Sequence, residues 1–254
     1  MKTVIESQNT SLSSGRQADV TLLSIIIPVY NEEKTLSGIL TAIVNVPFPE
    51  KIKYELVVVN DCSKDRSEEI VYQFARMHPD VIVKYVRHEK NQGKGSAIRT
   101  GLSLTEGDYI VIQDADLEYN PDDFLKMLPL LLSGQHQVVY GSRFLNSANR
   151  HSYQSFYLGG RLVSLMTNIL YNQHLTDEPT CYKMFAAGLI KSIPLKCTGF
   201  EFCPEVTAKV SKLGHQIPEI PICYYPRSIQ EGKKISWRDG IEAIWILFKY
   251  RFTD

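Results

Sequence analysis

Four short runs of Ile, Val and Leu punctuate the first half of the chain: LLSIIIPV (22–29), ELVVVN (55–60), VIVKYVR (81–87) and YIVIQD (109–114). Between them, near 32–44, 65–78 and 94–105, apolar residues are spaced as on an amphipathic helix. Near-continuous apolar runs suit strands covered on both faces. Their alternation with helices predicts βαβ crossovers and an α/β fold with a mainly parallel central sheet flanked by helices. A fifth strand, QVVYGS (137–142), follows a helix begun by NPDDFLKML, where Asn120 suits the N-cap and Pro121 the first helical position.

Beyond residue 142 the pattern is less regular. FYLGGRLVSLMTNILYNQ and EFCPEVTAKVSKL read as helices, with CYKMF between them and EIPICYYP strand-like after them. In SWRDGIEAIWILFKYRF (236–252), Trp237, Ile241, Ile244, Trp245 and Phe248 share one side of a helix. No repeat and no Pro/Gly/Ser-rich linker interrupts residues 20–254. The expected organisation is a polar tail (1–20), one large domain (21–235) and a C-terminal amphipathic helix (236–254), packed on the domain or lying at an interface.

Charge and composition narrow the classes. With 28 basic and 28 acidic residues the chain is balanced, which argues against a general nucleic-acid binder. Five cysteines without a CxxC pair fit reduced thiols, and with them a cytoplasmic location, better than a disulfide framework or structural zinc. The N-terminus lacks the basic-then-apolar order of a secretory signal, and no run approaches the roughly 18 apolar residues of a spanning helix.

In parallel sheets, ligands settle at the carboxyl ends of the strands. Three polar strand ends fall on that edge: Pro28-Val29-Tyr30-Asn31-Glu32, Asn60-Asp61-Cys62-Ser63 and Asp114-Ala115-Asp116. In an extended segment Asp114 and Asp116 point to the same side. Two carboxylates about 4 Å apart repel by roughly 4 kcal/mol at an effective dielectric of 20, so a shared proton, a basic partner or a cation must relieve them. Oxygen-only ligands suit Mg²⁺ or Mn²⁺, with Glu118 as a third ligand. The loop NQGKGSAIRTGL (91–102) has neither Walker A spacing nor the third glycine of a dinucleotide fingerprint. Two readings of it stand: a helix start with glycines for close packing, or an anion-facing loop carrying Lys94. HExxH and GxSxG are absent and the six histidines are scattered.

The ordered pieces SIIIPVYNEEKTL, VVVNDCSKDRSEEI, KNQGKGSAIRTGL and VIQDADLEYNPDD resemble the family 2 glycosyltransferases of GT-A fold. GSRF, DEPTCYKMF, GFEFCPEVTAKV and PRSIQEGKKISWRDGIEAI narrow the resemblance to the dolichol-phosphate mannose and glucose synthase branch. It implies a nucleotide-diphosphate sugar donor of the GDP-mannose or UDP-glucose type, a divalent cation, Mg²⁺ or Mn²⁺, and inverting transfer of a hexose to a polyprenyl phosphate. By motif match, Pro28, Tyr30, Glu32 and Asp61 line the base and ribose pocket, and Asn60 departs from the usual pair of aspartates there. Asp114 and Asp116 match the metal-binding DxD, with Glu118 where relatives often have Gln. Arg227 and Lys234 match the residues facing the donor diphosphate. Arg143, Arg161 and Ser164 match those holding the acceptor phosphate.

An ionised phosphate acceptor needs no strong base, whereas a saccharide hydroxyl, the alternative acceptor, would need one such as Asp177 or Glu178. Asp177 equally suits a cap or a structural carboxylate. A non-catalytic nucleotide-sugar sensor is a third alternative. Many relatives in this branch continue into spanning helices where this sequence stops. The expectation is therefore docking at the cytoplasmic face of a membrane, or a membrane-protein partner, with a homo-oligomer contact as another use of the last helix.

Overall fold

The computed structural model describes residues 20–150, 154–227 and 236–253. The first half alternates as its pattern predicts: β1 (Thr21–Val29), α1 (Leu36–Val44), β2 (Ile52–Asn60), α2 (Ser67–Met77), β3 (Ile82–Arg87), α3 (Lys94–Leu104) and β4 (Tyr109–Ile112). After β4, Asn120 accepts a hydrogen bond from Asp122 N at 3.1 Å, and a 3-10 turn at Pro121–Asp123 leads into α4 (Phe124–Leu132). Then follow β5 (Val138–Ser142), α5 (Gln154–Tyr171), β6 (Lys183–Ala186), α6 (Ala187–Ser192), α7 (Phe202–Lys212), β7 (Glu219–Pro221) and α8 (Trp237–Phe252).

These strands form one seven-stranded sheet in the order β3-β2-β1-β4-β6-β5-β7. β1 pairs in parallel with β2 and β4, β2 with β3, and β5 with β7. CYKMF supplies β6, which runs antiparallel between β4 and β5 and so breaks the parallel rule within the less regular half. Side chains of β1, β2 and β4 such as Ile25, Ile27, Val57, Val59 and Val111 are fully buried, as strands covered on both faces require. Val29 is in register with Asn60 and Ile26 with Ile112, which sets the ends of β1, β2 and β4 along one edge.

Two boundaries move. α1 starts at Leu36, leaving Glu32 in the preceding turn, and of EIPICYYP only Glu219–Pro221 is strand, Tyr224 making an isolated bridge to Tyr119. α8 is apolar on two sides. Ala243, Ile246, Leu247 and Tyr250 pack against α5 and α7, whereas Trp237, Ile241 and Trp245 of the predicted apolar side stay exposed. No helix of the described residues is long and apolar enough to cross a membrane.

Candidate active site

The loops leaving β1 and β2 are laced together before any ligand is considered. Ser63 Oγ accepts from Asn31 N at 3.0 Å, Ser67 Oγ from Glu32 N at 3.1 Å, and Asn31 Oδ1 from Lys64 N at 2.8 Å. Asn31, Cys62 and Leu117, one in each of the three strand-end loops, have left-handed backbones with φ of 52°, 64° and 61°. Side chains bearing a Cβ resist that conformation, and such local strain collects at sites that a fold over-determines.

At the end of β2 the two neighbouring polar residues do different things. Asn60 is buried, donating to Tyr85 Oη at 3.0 Å and accepting from Ser63 N at 2.8 Å. Asp61 accepts the N–H groups of Gln92 and Gly93, each at 2.8 Å, and lies 2.7 Å from His88 Nδ1. It thereby anchors the loop before α3. That loop is also pressed against residues 197–199. A Cβ on Gly93, at φ 90°, would lie 2.5 Å from Thr198 O, and one on Gly95 would lie 2.7 Å from Cys197 O. Close packing therefore explains the glycines. Lys94, held between them, reaches Asp114 Oδ1 at 2.5 Å and Cys181 Sγ at 3.7 Å.

The strand β4 stops at Ile112, so Asp114 lies past the strand end and Asp116 in the turn that follows, rather than both in the extended segment that alternation implies. Asp116 Oδ1 accepts from Glu118 N at 3.1 Å, while its Oδ2 meets Arg227 Nη2 at 2.7 Å. Arg227 Nη1 also reaches Glu32 at 3.1 Å, joining the β1 and β4 ends. Glu118 accepts Arg227 N at 2.6 Å and Tyr224 Oη at 3.2 Å.

The basic partner that two close acids demand is thus present twice over. Among the described residues, the carboxylates of Glu32, Asp114, Asp116 and Glu118 face the two cations Lys94 and Arg227. Burial opposes ionisation of Asp114, but Lys94 outweighs it and holds that carboxyl below its ordinary value. Asp116 goes the other way, raised to about 7 by burial, Asp114 and Glu118 against the pull of Arg227. Burial works against the charge on Lys94, and Asp114 more than restores it.

Across from this cluster, Arg143 Nε and Nη2 each donate to Asp177 at 2.7 Å, and Arg143 N adds a third bond at 2.9 Å. Asp177 is fully buried. Its own N–H, like that of Thr176, is held by Glu219. The Phe144 ring lies 5.8 Å from Arg143 and 5.7 Å from Arg161, so the two guanidiniums share one aromatic side chain. Tyr224 connects the two halves of the site, its hydroxyl on Glu118 and its ring 5.2 Å from Arg143. Ser164 is buried, bridging Gly160 O and Glu178 N. Pro28 lies within β1 opposite Val59, with Tyr30 just beyond the strand end. Lys234 lies outside the described residues.

Sequence reasoning did not find His88, Cys181 or Tyr224 as partners in the site. Only the position of His88 just past β3 offered a local signal.

This arrangement has relatives. The glycosyl transferase family 2 model matches residues 24–193. The chain belongs to that family. Dolichyl-phosphate beta-glucosyltransferase ALG5A of Trichomonas vaginalis is 30% identical over 212 residues, covering 79% of this chain and 64% of the relative. Dolichol-phosphate mannosyltransferase of Pyrococcus furiosus is 26% identical over 214 residues, 83% of this chain and 58% of the relative. The chain therefore spans less than two thirds of the length of these curated relatives.

Glucosyl-3-phosphoglycerate synthase of Mycobacterium tuberculosis, solved with Mn²⁺, uridine diphosphate and glucosyl-3-phosphoglycerate, superposes with a TM-score of 0.67 at 19% identity. That match covers 91% of this chain and 80% of the synthase. The synthase has also been solved with Mg²⁺ and uridine diphosphate, matching with a TM-score of 0.64 at 18% identity over 91% of this chain and 79% of the synthase. The fold of this family 2 member is GT-A.

Proposed function

We propose that this family member moves a hexose from a nucleotide-diphosphate sugar, of the GDP-mannose or UDP-glucose type, to a polyprenyl phosphate, with inversion at the anomeric carbon. The observation that carries this reading is the half-buried Asp114–Asp116 pair, held by Lys94 and Arg227 and facing an Arg143–Asp177 clamp across Tyr224. The names of the curated relatives, a dolichyl-phosphate glucosyltransferase and a dolichol-phosphate mannosyltransferase, support the acceptor class.

On this reading Pro28, Tyr30 and Glu32 line the nucleoside pocket, which Asn60 and Asp61 shape by anchoring its loops. Asp114 and Asp116 would hold Mg²⁺ or Mn²⁺, with Glu118 behind them. The donor set fits: it is all oxygen, and burial together with the neighbouring Asp114 and Glu118 raises the carboxyl of Asp116. Among the described residues no group of three His, Cys, Asp or Glu side chains is placed to hold an ion. The two acids would therefore share it with the diphosphate and water, as such ions usually require. When bound, the ion supplies charge neutralisation to the departing nucleotide.

The protein's own groups do the remaining work. Arg227, now on Asp116 and Glu32, and Lys234 offer positive charge to the diphosphate. Arg143 and Arg161 hold the acceptor phosphate, and fixing both reactants in line removes much of the entropic barrier. A phosphate monoester is largely ionised near neutral pH, its second pKa being about 6, so it attacks without a strong base. Asp177 is accordingly a positioning residue for Arg143. Engagement of both its oxygens by Arg143 disfavours the base that a saccharide hydroxyl would need. Transfer at the cytoplasmic face of a membrane is consistent with five free cysteines.

The test is incubation of the full chain with a donor panel and a polyprenyl phosphate, with Mn²⁺ or Mg²⁺ and then with chelator. A glycosyl-lipid product lost on chelation is expected. Product only on oligosaccharides would replace the acceptor, and donor binding with no turnover would favour the sensor.

A further inference from the structure

Residues 197–199, which press on the glycines flanking Lys94, lie in neither helix nor strand, and their shape is imposed from α7. Two carboxylates receive four consecutive N–H groups there: Glu205 takes those of Lys196 and Cys197 at 2.7 and 2.8 Å, and Glu201 Oε1 takes those of Thr198 and Gly199, each at 2.9 Å. Glu201 stands at the start of α7 and Glu205 one turn inside it, so both project from one face of the helix. Carboxylates on backbone N–H groups make charge-assisted bonds, stronger than neutral ones. The two acids do unlike work. Glu205 is fully buried and gripped by Lys209 at 2.7 Å, which makes it part of the packed interior. Glu201 is half-buried, and its side chain turns back onto the preceding residues instead of capping its own helix.

The chain leaves room for that return. A Cβ on Gly199 would lie 2.6 Å from Glu201 Oε2, at a backbone that is not left-handed. Clearance for the carboxylate, rather than conformational freedom, is what glycine supplies at 199. The far side of the same turn meets α3. Thr198 O accepts Ser96 N at 3.0 Å, in the first turn of that helix, and the Phe200 ring lies 5.8 Å from Lys94 Nζ. Lys94 in turn reaches Asp114 Oδ1 at 2.5 Å. The Glu201 carboxylate therefore fixes the turn against which Lys94 is seated.

We propose that Glu201 is a positioning residue for donor binding: by holding the Thr198–Gly199 turn it sets Lys94 on Asp114. The role rests on the reading that the Asp114 cluster receives a nucleotide-diphosphate sugar, and it extends that site to a side chain of α7. One oxygen, Oε1, receives both N–H groups, so the amide oxygen of glutamine can replace it, whereas alanine offers no acceptor. Positioning needs the oxygen and not the charge. A proton-transfer or electrostatic role would need the charge.

The experiment compares Glu201→Ala, Glu201→Gln and Gly199→Ala in the full chain. Amide hydrogen exchange is followed peptide by peptide without ligand, and binding of GDP-mannose and UDP-glucose is followed by calorimetry with Mn²⁺. Glu201→Ala is expected to speed exchange over residues 93–98 and to weaken donor binding, each by about tenfold, as charge-assisted bonds are lost. Gly199→Ala should do the same with the carboxylate still present, because its methyl group displaces Oε2. Glu201→Gln should stay within about threefold of the unaltered chain in both measurements. Placed on Lys94→Ala, Glu201→Ala should cost less than about a further twofold in donor binding, since the lysine it positions is gone. Unchanged exchange over 93–98, faster exchange spread evenly through β1 and β2, glutamine as damaging as alanine, or full additivity with Lys94→Ala would each overturn the proposal. If the unaltered chain binds neither donor, the donor reading falls by itself, while the exchange of Glu201→Ala and Gly199→Ala still decides whether Glu201 holds the seat of Lys94.

Discussion

Asp177 and Arg143 face each other through two parallel 2.7 Å hydrogen bonds, the carboxylate wholly buried and the guanidinium largely so. Breaking such a pair from one side leaves a charge without its counter-ion, which typically costs about 3–5 kcal/mol. Asp177→Asn is expected to lower stability toward that range in denaturant titrations and to raise the acceptor KM more than it lowers kcat. A fall in kcat with unchanged acceptor KM and a lost basic limb in the pH profile would instead make Asp177 a proton acceptor.

The carboxyl of Asp116, raised to about 7, sets a pH dependence for ion binding. Below that value the ion must displace a proton; above it, none. Mn²⁺ affinity, followed by calorimetry without donor, should rise between pH 6 and 8 and flatten beyond, by up to roughly tenfold per unit on the acid side. Asp116→Asn should weaken binding and remove the slope. A flat profile in the unaltered chain would show that Asp116 does not hold the ion.

Gly95 leaves no room for a methyl group, since its Cβ would sit 2.7 Å from Cys197 O and 3.0 Å from Gly199 O. Alanine favours a helix, so an exposed Gly→Ala change within one would stabilise by about 1 kcal/mol. Here overpacking against backbone opposes that gain by about 1–3 kcal/mol. Gly95→Ala is expected to lower the melting temperature, and because Lys94 is its neighbour, to weaken donor binding too. An increase in melting temperature would contradict the packing described.

Glu205 supplies a sign for acid stability. Burial alone would raise its carboxyl, but Lys209 and the N–H groups of Cys197 and Lys196 hold it below the usual glutamate range. Unfolding then takes up a proton as pH falls, so its contribution is present above the unfolded pKa of about 4.3 and is lost as pH drops through the lower folded value. Glu205→Gln should be less stable at neutral pH and show a shallower decline below about pH 5, measured as urea midpoints. Parallel declines would mean that Glu205 is not responsible.

The β1, β2 and β4 runs were legible because burial on both faces leaves an almost purely apolar signature, and a carboxylate after such a run marks a strand end. β6 was not assigned from CYKMF, since four residues paired antiparallel between two strands carry no distinctive period. The glycines around Lys94 were legible as a choice between two roles. Contact with residues 197–199, a hundred positions away, favours packing, and Asp114 takes up the lysine.

By itself the sequence determined the α/β alternation, the shared edge of three polar strand ends, and the acids at 114 and 116, because each of these is written in local periodicity and residue type. The tertiary structure alone decided which cation answers which acid. Arg227 lies 111 positions from Asp116 and 195 from Glu32, and Arg143 lies 34 from Asp177. It also decided that α8 buries Ala243, Ile246 and Leu247 and leaves Trp245 outside. A helix apolar on two sides has no inward face until a neighbour packs against one of them.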